Sequence, residues 1–232
     1  MRIDLNKLTF LSGLAGSLVL VICCCVIPVI PHPVGSKEAY SFLNHFVSEL
    51  GYYKTSKLSV VFNSGIFISG FLLTMFAVGL MRHFRSRLGY VAAAFGIFSG
   101  IVFGLLGFFP VNLLKQHLIL AFIFFSTWLP TVGLFTLLCL RDKGNVLFSK
   151  GVIISGVISF VLFISFLVIP FTMGMSRIMN AMIAGEFARP PFVLAAALEW
   201  SMFFSVAVWI MLVCLKLAGQ RTAEPATIPS ER

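Results

Sequence analysis

Apolar residues fall into six long runs, residues 9–30, 59–81, 90–109, 117–140, 151–172 and 193–217, each bounded by charges, Pro or Gly. A hydrocarbon core of about 30 Å takes about 20 residues of helix, and each run reaches that length. Backbone groups in lipid have to be satisfied within their own segment, so the runs predict helices. Between the first two runs the pattern changes. Tyr40, Leu43, Phe46, Val47 and Leu50 recur at spacings of three and four, with Ser41, Asn44, His45, Ser48 and Glu49 between them. That spacing predicts an amphipathic surface helix over residues 37–50, with Ser36 as its cap, Glu38 at its positive end and Gly51 as its stop. A shorter helix capped by Ser176 is predicted within 173–192. From Gln220 onward the Pro- and Thr-containing tail predicts disorder. Residues 1–219 thus form one all-α membrane domain of six transmembrane helices, and 220–232 a cytoplasmic tail. Pro28, Pro31, Pro110 and Pro170 end the odd-numbered runs, which three helical hairpins would give but which reads better as the ordinary use of Pro as a helix terminator.

Composition sharpens this picture. With 59% hydrophobic residues, 11% charged and a mean hydropathy of +1.03, no soluble catalytic domain fits in the chain. The net charge of +9 would point to nucleic acid on a soluble protein. Here the cations sort by loop instead. With the N-terminus inside, eleven of the 17 lie on cytoplasmic pieces (Arg2, Lys7, Arg82, Arg85, Arg87, Arg141, Lys143, Lys150, Lys216, Arg221, Arg232) and six outside. That bias predicts both termini in the cytoplasm, membrane lipids as partners and no nucleic-acid partner. The first run exceeds the roughly 7–15 residues of a signal peptide's apolar region and lacks a small-x-small cleavage site, so it is expected to be retained.

Glu199 is the one carboxylate within the runs and away from a helix end. It lies six residues past Val193, about 9 Å below the outer boundary at about 1.5 Å per residue. A charge at that depth costs about 3 kcal/mol on insertion scales, so Glu199 is expected to face the bundle and meet polar partners. A functional carboxylate and a structural hydrogen bond both satisfy that expectation. Asn63 one turn into the second run, Asn112 before the fourth and His117 opening it stand at the same level, as do His45 and Glu49, which an (i, i+4) spacing puts on one face. Glu49, Asn63, His117, Glu199, His45 and Asn112 are the candidate polar site. No HxxxH or HExxH frames the external histidines, so no metal or cofactor is predicted. Cys23, Cys24 and Cys25 point about 100° apart on a helix and cannot converge on a metal; with Cys139 and Cys214 they read as apolar filler. Gly96, Gly100, Gly104 and Gly107 form a groove for a neighbouring helix or an acyl chain.

Residues 44–51 (Asn-His-Phe-Val-Ser-Glu-Leu-Gly), 61–65 (Val-Phe-Asn-Ser-Gly) and 107–110 (Gly-Phe-Phe-Pro), with His117 following, resemble the prokaryotic membrane family catalogued as domain of unknown function 998. The resemblance covers most of the chain and implies a prokaryotic plasma-membrane protein. That family often has Asp after the Phe-Pro; here Asn112 stands nearby. Glu199-Trp200 and the six-helix count are similar to the wider Frag/DRAM/Sfk group, which implies lipid-related biology in the outer leaflet without defining a reaction. The leading expectation is a site that binds or helps process a lipid headgroup. Its rivals are a small proton-coupled transporter using Glu199 and a scaffold whose polar residues only pack helices. Whether the protein is an enzyme, and its oligomeric state, stay open at this level.

Overall fold

The computed structural model describes residues 5–29, 40–54, 56–145, 147–172 and 190–221. Its long helices are α1 (Leu5–Val29), α2 (Ser59–Leu80), α3 (Arg87–Leu106), α4 (Leu114–Arg141), α5 (Lys150–Thr172) and α6 (Leu194–Arg221), and no strand occurs among the described residues. All six are long and apolar enough to cross a membrane, the architecture of a multi-pass membrane protein. Short 3₁₀ turns at Val47–Gly51 and Val111–Leu113 complete the described elements.

Boundaries differ from the apolar runs where capping decides them. Helix α3 starts at Arg87, three residues early, because the Ser86 hydroxyl accepts from the Gly89 amide at 3.1 Å. Helix α4 begins at Leu114 behind a 3₁₀ turn, so His117 sits inside its first turn. Helix α6 extends through Gln220 to Arg221. The helix expected within 173–192 falls mostly outside the described residues, as do residues 37–39 and the tail from 222.

Each helix packs on its neighbours in sequence, and α6 returns to pack on α1. The result is a closed ring with a filled centre. Leu20, Leu73, Phe103, Phe124, Trp128, Phe163 and Met202, drawn from all six helices, converge there and leave a void of about 10 Å³. A water needs roughly 10–15 Å³ and polar partners; this void is at the bottom of that range with a wholly apolar exposed lining, so the layer is an apolar plug. Outside the ring, Phe71, Phe122, Val161 and Leu215 are exposed, the arrangement a lipid environment requires.

The glycine groove of α3 receives α2. A Cβ on Gly70 would run into the Gly104 amide nitrogen, and one on Gly100 would lie 2.7 Å from the Thr74 nitrogen. Backbone meets backbone at this crossing, which only glycine permits.

The predicted surface helix is corrected. The Ser41–His45 stretch makes a single turn, with the His45 amide donating to the Ser41 carbonyl at 2.9 Å. The chain then extends at Phe46 and closes into the 3₁₀ turn Val47–Gly51, which contains Gly51 rather than being followed by it. The cause is competition for backbone groups. The Val47 amide donates to Glu199 Oε2, and the carbonyls of Leu43 and His45 accept from the Val193 amide, one residue before α6, and from Trp200 Nε1, each at 2.8 Å. A continuous helix would have to spend its carbonyls internally. The apolar pattern is still used: Phe46, Val47 and Leu50 are buried, while Leu43 is exposed.

Candidate functional site

The first loop lies across one end of the bundle, and the residues that hold it are mostly the polar ones singled out by sequence. Glu199 is buried in the second turn of α6, and its Oε2 accepts from the Val47 amide at 2.8 Å. One residue along, Trp200 is buried and donates from Nε1 to the His45 carbonyl. From α2, buried Asn63 donates to the Gly51 carbonyl. Asn112 accepts from the Tyr53 amide at 3.0 Å, and Asn44 donates to the Pro190 carbonyl at 3.0 Å. Including the Val193–Leu43 bond, six hydrogen bonds tie residues 43–53 to three parts of the ring. At about 1 kcal/mol net each, they outweigh the weak intrinsic preference of a short segment for a helix.

Under this cover Asn63, His117 and Glu199 line one cavity of about 40 Å³, joined by Ser48 from the loop. The walls are apolar, with Phe62, Ile66, Phe125 and Phe203 among them. His117 is buried, and its Nδ1 lies 2.8 Å from the Phe109 carbonyl. A carbonyl only accepts, so Nδ1 carries the proton. In the neutral ring Nε2 is then an acceptor. The second oxygen of Glu199 has no hydrogen bond among the described residues. The cavity thus combines a carboxyl group, an imidazole and an amide in an apolar setting, and its volume is well above the roughly 10–15 Å³ that one water needs.

The other candidates serve the loop. Glu49 Oε1 accepts from the Phe46 amide at 2.8 Å and stays within electrostatic range of Glu199. His45 pairs its Nδ1 with Asn44 Oδ1 at 2.7 Å and lies against the Tyr40 ring, with centroids 4.7 Å apart. The expected shared face of His45 and Glu49 is therefore absent, because no helix joins them. Neither residue, nor Asn112, lines the cavity.

Three further residues contribute that the polar pattern of the sequence does not single out for the site. Ser48 lines the cavity, Trp200 anchors the loop, and Tyr40 donates from its hydroxyl to the Phe46 carbonyl at 2.8 Å. Tyr40, Phe42 and Trp200 also pack edge to face. The one signal for this cluster was Trp200 standing beside the buried acid. Among the described residues no three His, Cys, Asp or Glu side chains are placed to share a metal ion. The arrangement can bind a hydrogen-bond donor, a small cation or water.

A sequence model of the family described as "Protein of unknown function (DUF998)" matches residues 15–216. No curated protein and no solved structure matches the chain.

Proposed function

This chain belongs to the DUF998 family, whose description names no reaction, and from that premise we propose that it is a lipid-binding protein of a prokaryotic plasma membrane. Both termini face the cytoplasm in this reading, which the distribution of Lys and Arg supports. The cavity end then faces outward, and Glu199, His117 and Asn63 receive the headgroup of an outer-leaflet lipid.

The observation that carries the proposal is the single cavity lined by side chains from α2, α4 and α6 beneath one loop. Intramembrane ionisable groups are costly and mark functional sites by default. Glu199 presents one oxygen to a loop amide and holds the other in reserve for a donor group. At about 40 Å³ the cavity admits water, and a headgroup enters when the loop lifts. The loop is in effect a resident ligand. Its Val47 amide and Gly51 carbonyl occupy the Glu199 and Asn63 groups that a lipid's polar atoms would take.

A scaffold role is the second reading, supported because Glu199, Asn63 and His117 all bond backbone. Transport through Glu199 has less support, since the apolar plug lies beneath the cavity. A phospholipid with a photoreactive headgroup, added to the full chain in vesicles, separates the first two. Headgroup binding predicts label on peptides covering Val47–Gly51 and the start of α6, reduced at least fivefold by His117→Leu, which removes a cavity group without releasing the loop. Label that avoids both peptides, in a protein labelled elsewhere, leaves the scaffold reading.

A further inference from the structure

The opposite end of the bundle carries a second feature, independent of the outer cavity. Along α4, Pro130, Gly133, Leu134, Leu137 and Leu140 form a stripe at spacings of three and four, and Val157 and Phe160 of α5 face it. Together they line an apolar groove of about 390 Å³, within the roughly 300–1,000 Å³ of small-molecule sites. Phe160 supplies the floor by packing on Gly133, where a Cβ would lie 2.7 Å from its ring. Ten residues of helix separate Pro130 from Leu140, about 15 Å at about 1.5 Å per residue. That is half of a hydrocarbon core of about 30 Å, the depth of one leaflet.

The groove ends at Leu140, and charge begins at the next residue. Arg141, Lys143 and Lys150 are exposed, and none of their side chains has a hydrogen bond or ion pair among the described residues. The neighbouring loop adds exposed Arg82, Arg85 and Arg87, and Asn145 Nδ2, donating to the His83 carbonyl at 2.7 Å, holds the two loops together. Asp142 is the one acid at this rim among the described residues. An apolar slot one leaflet deep, opening under unpaired cations, matches an amphiphile with an anionic head.

We propose that the α4–α5 seam binds an anionic phospholipid, its acyl chain in the groove and its phosphate on Arg141, Lys143 and Lys150. Cationic loops attract acidic lipid in general, at about 1 kcal/mol per Lys or Arg near the surface. The groove turns that attraction into a site with a defined place.

The full chain in detergent, titrated with palmitoyl-oleoyl phosphatidylglycerol or the matching phosphatidylcholine, is read by native mass spectrometry. At equal concentration, at least fivefold more of the anionic lipid is expected to stay bound. Arg141→Gln, Lys143→Gln and Lys150→Gln together should reduce it to the phosphatidylcholine level. Removing the same charge at the other end, with Lys54→Gln, Lys57→Gln and Lys115→Gln, should leave it unchanged. Val157→Trp, which fills the groove from an exposed position, should remove the bound lipid while the subunit number stays constant. Equal retention of the two lipids, equal effects of the two triple variants, or a Val157→Trp protein that changes subunit number but keeps its lipid would each overturn the proposal. The last outcome would make the groove a contact between two copies of the chain.

Discussion

Glu199→Leu tests whether the first loop is held by the bond between Glu199 and the Val47 amide. Val47 is 2% exposed, so bulk solvent does not reach the amide when its acceptor is removed, and any replacement water has to come from the cavity that Val47 and Glu199 line. A hydrogen bond contributes about 0.5–1.5 kcal/mol net, and a buried donor left unsatisfied costs about 1–3 kcal/mol. These describe the same loss from two sides and should not be summed. About 2–3 kcal/mol is the expected cost of opening lost at the loop, or roughly 30- to 150-fold at about 1.4 kcal/mol per factor of ten. Glu199→Gln keeps an acceptor of the same shape, so its effect should stay below about tenfold. Hydrogen–deuterium exchange on peptides covering Val47–Gly51, in the full chain in detergent or nanodiscs, reads this directly. Glu49→Ala is the internal contrast, since it removes only the acceptor of the Phe46 amide, a capping loss of about 0.5–2 kcal/mol. If Glu199→Leu leaves exchange within threefold of the parent while the helices stay protected, the loop is held by something else. The reasoning about the cavity's cover then fails with it.

Within the glycine groove, Gly70→Ala and Gly100→Ala should lower the melting temperature sharply, because the added carbon meets neighbouring backbone. Gly104→Ala should cost little, its nearest neighbour being 3.5 Å away; equal losses at all three sites would contradict the crossing. Burial holds the His83 ring below its ordinary value of 6.5. Its stability contribution is therefore complete above that value and declines as pH falls below it. Melting at pH 7.5 and 5.5 should show a pH-dependent loss that shrinks in His83→Gln; an unchanged loss refutes the assignment. Single cysteines in 82–89 and 141–150, in a background without native cysteines, should resist an impermeant thiol reagent on intact cells, while those in 54–57 react. Labelling of either inner loop would reverse the proposed orientation.

Six helices were legible from the chain because the requirement that makes them is local. Each segment in hydrocarbon has to satisfy its own backbone, and about 20 apolar residues between polar boundaries say so without reference to any other segment. The inward direction of Glu199 was legible for a similar reason, since a carboxylate facing lipid is costly wherever its partner lies. The glycine stripe announced a close helix contact.

Partners were another matter. Glu199 bonds a backbone amide 152 residues away, and backbone amides carry no mark in sequence. The same bond, with those from Trp200 and Val193, turned an amphipathic pattern into a turn and a 3₁₀ segment. Local periodicity predicted a helix there because it counts only local hydrogen bonds. Tertiary acceptors and donors took the backbone groups that helix would have needed. Likewise Gly70 and Gly100 are indispensable in a way Gly104 is not, because the crossing point of two helices depends on their relative placement. The sequence by itself determined which residues had to be buried and helical; the closed ring alone decided what each buried polar group would touch, because hydrogen bonds between distant segments exist only after the helices have packed.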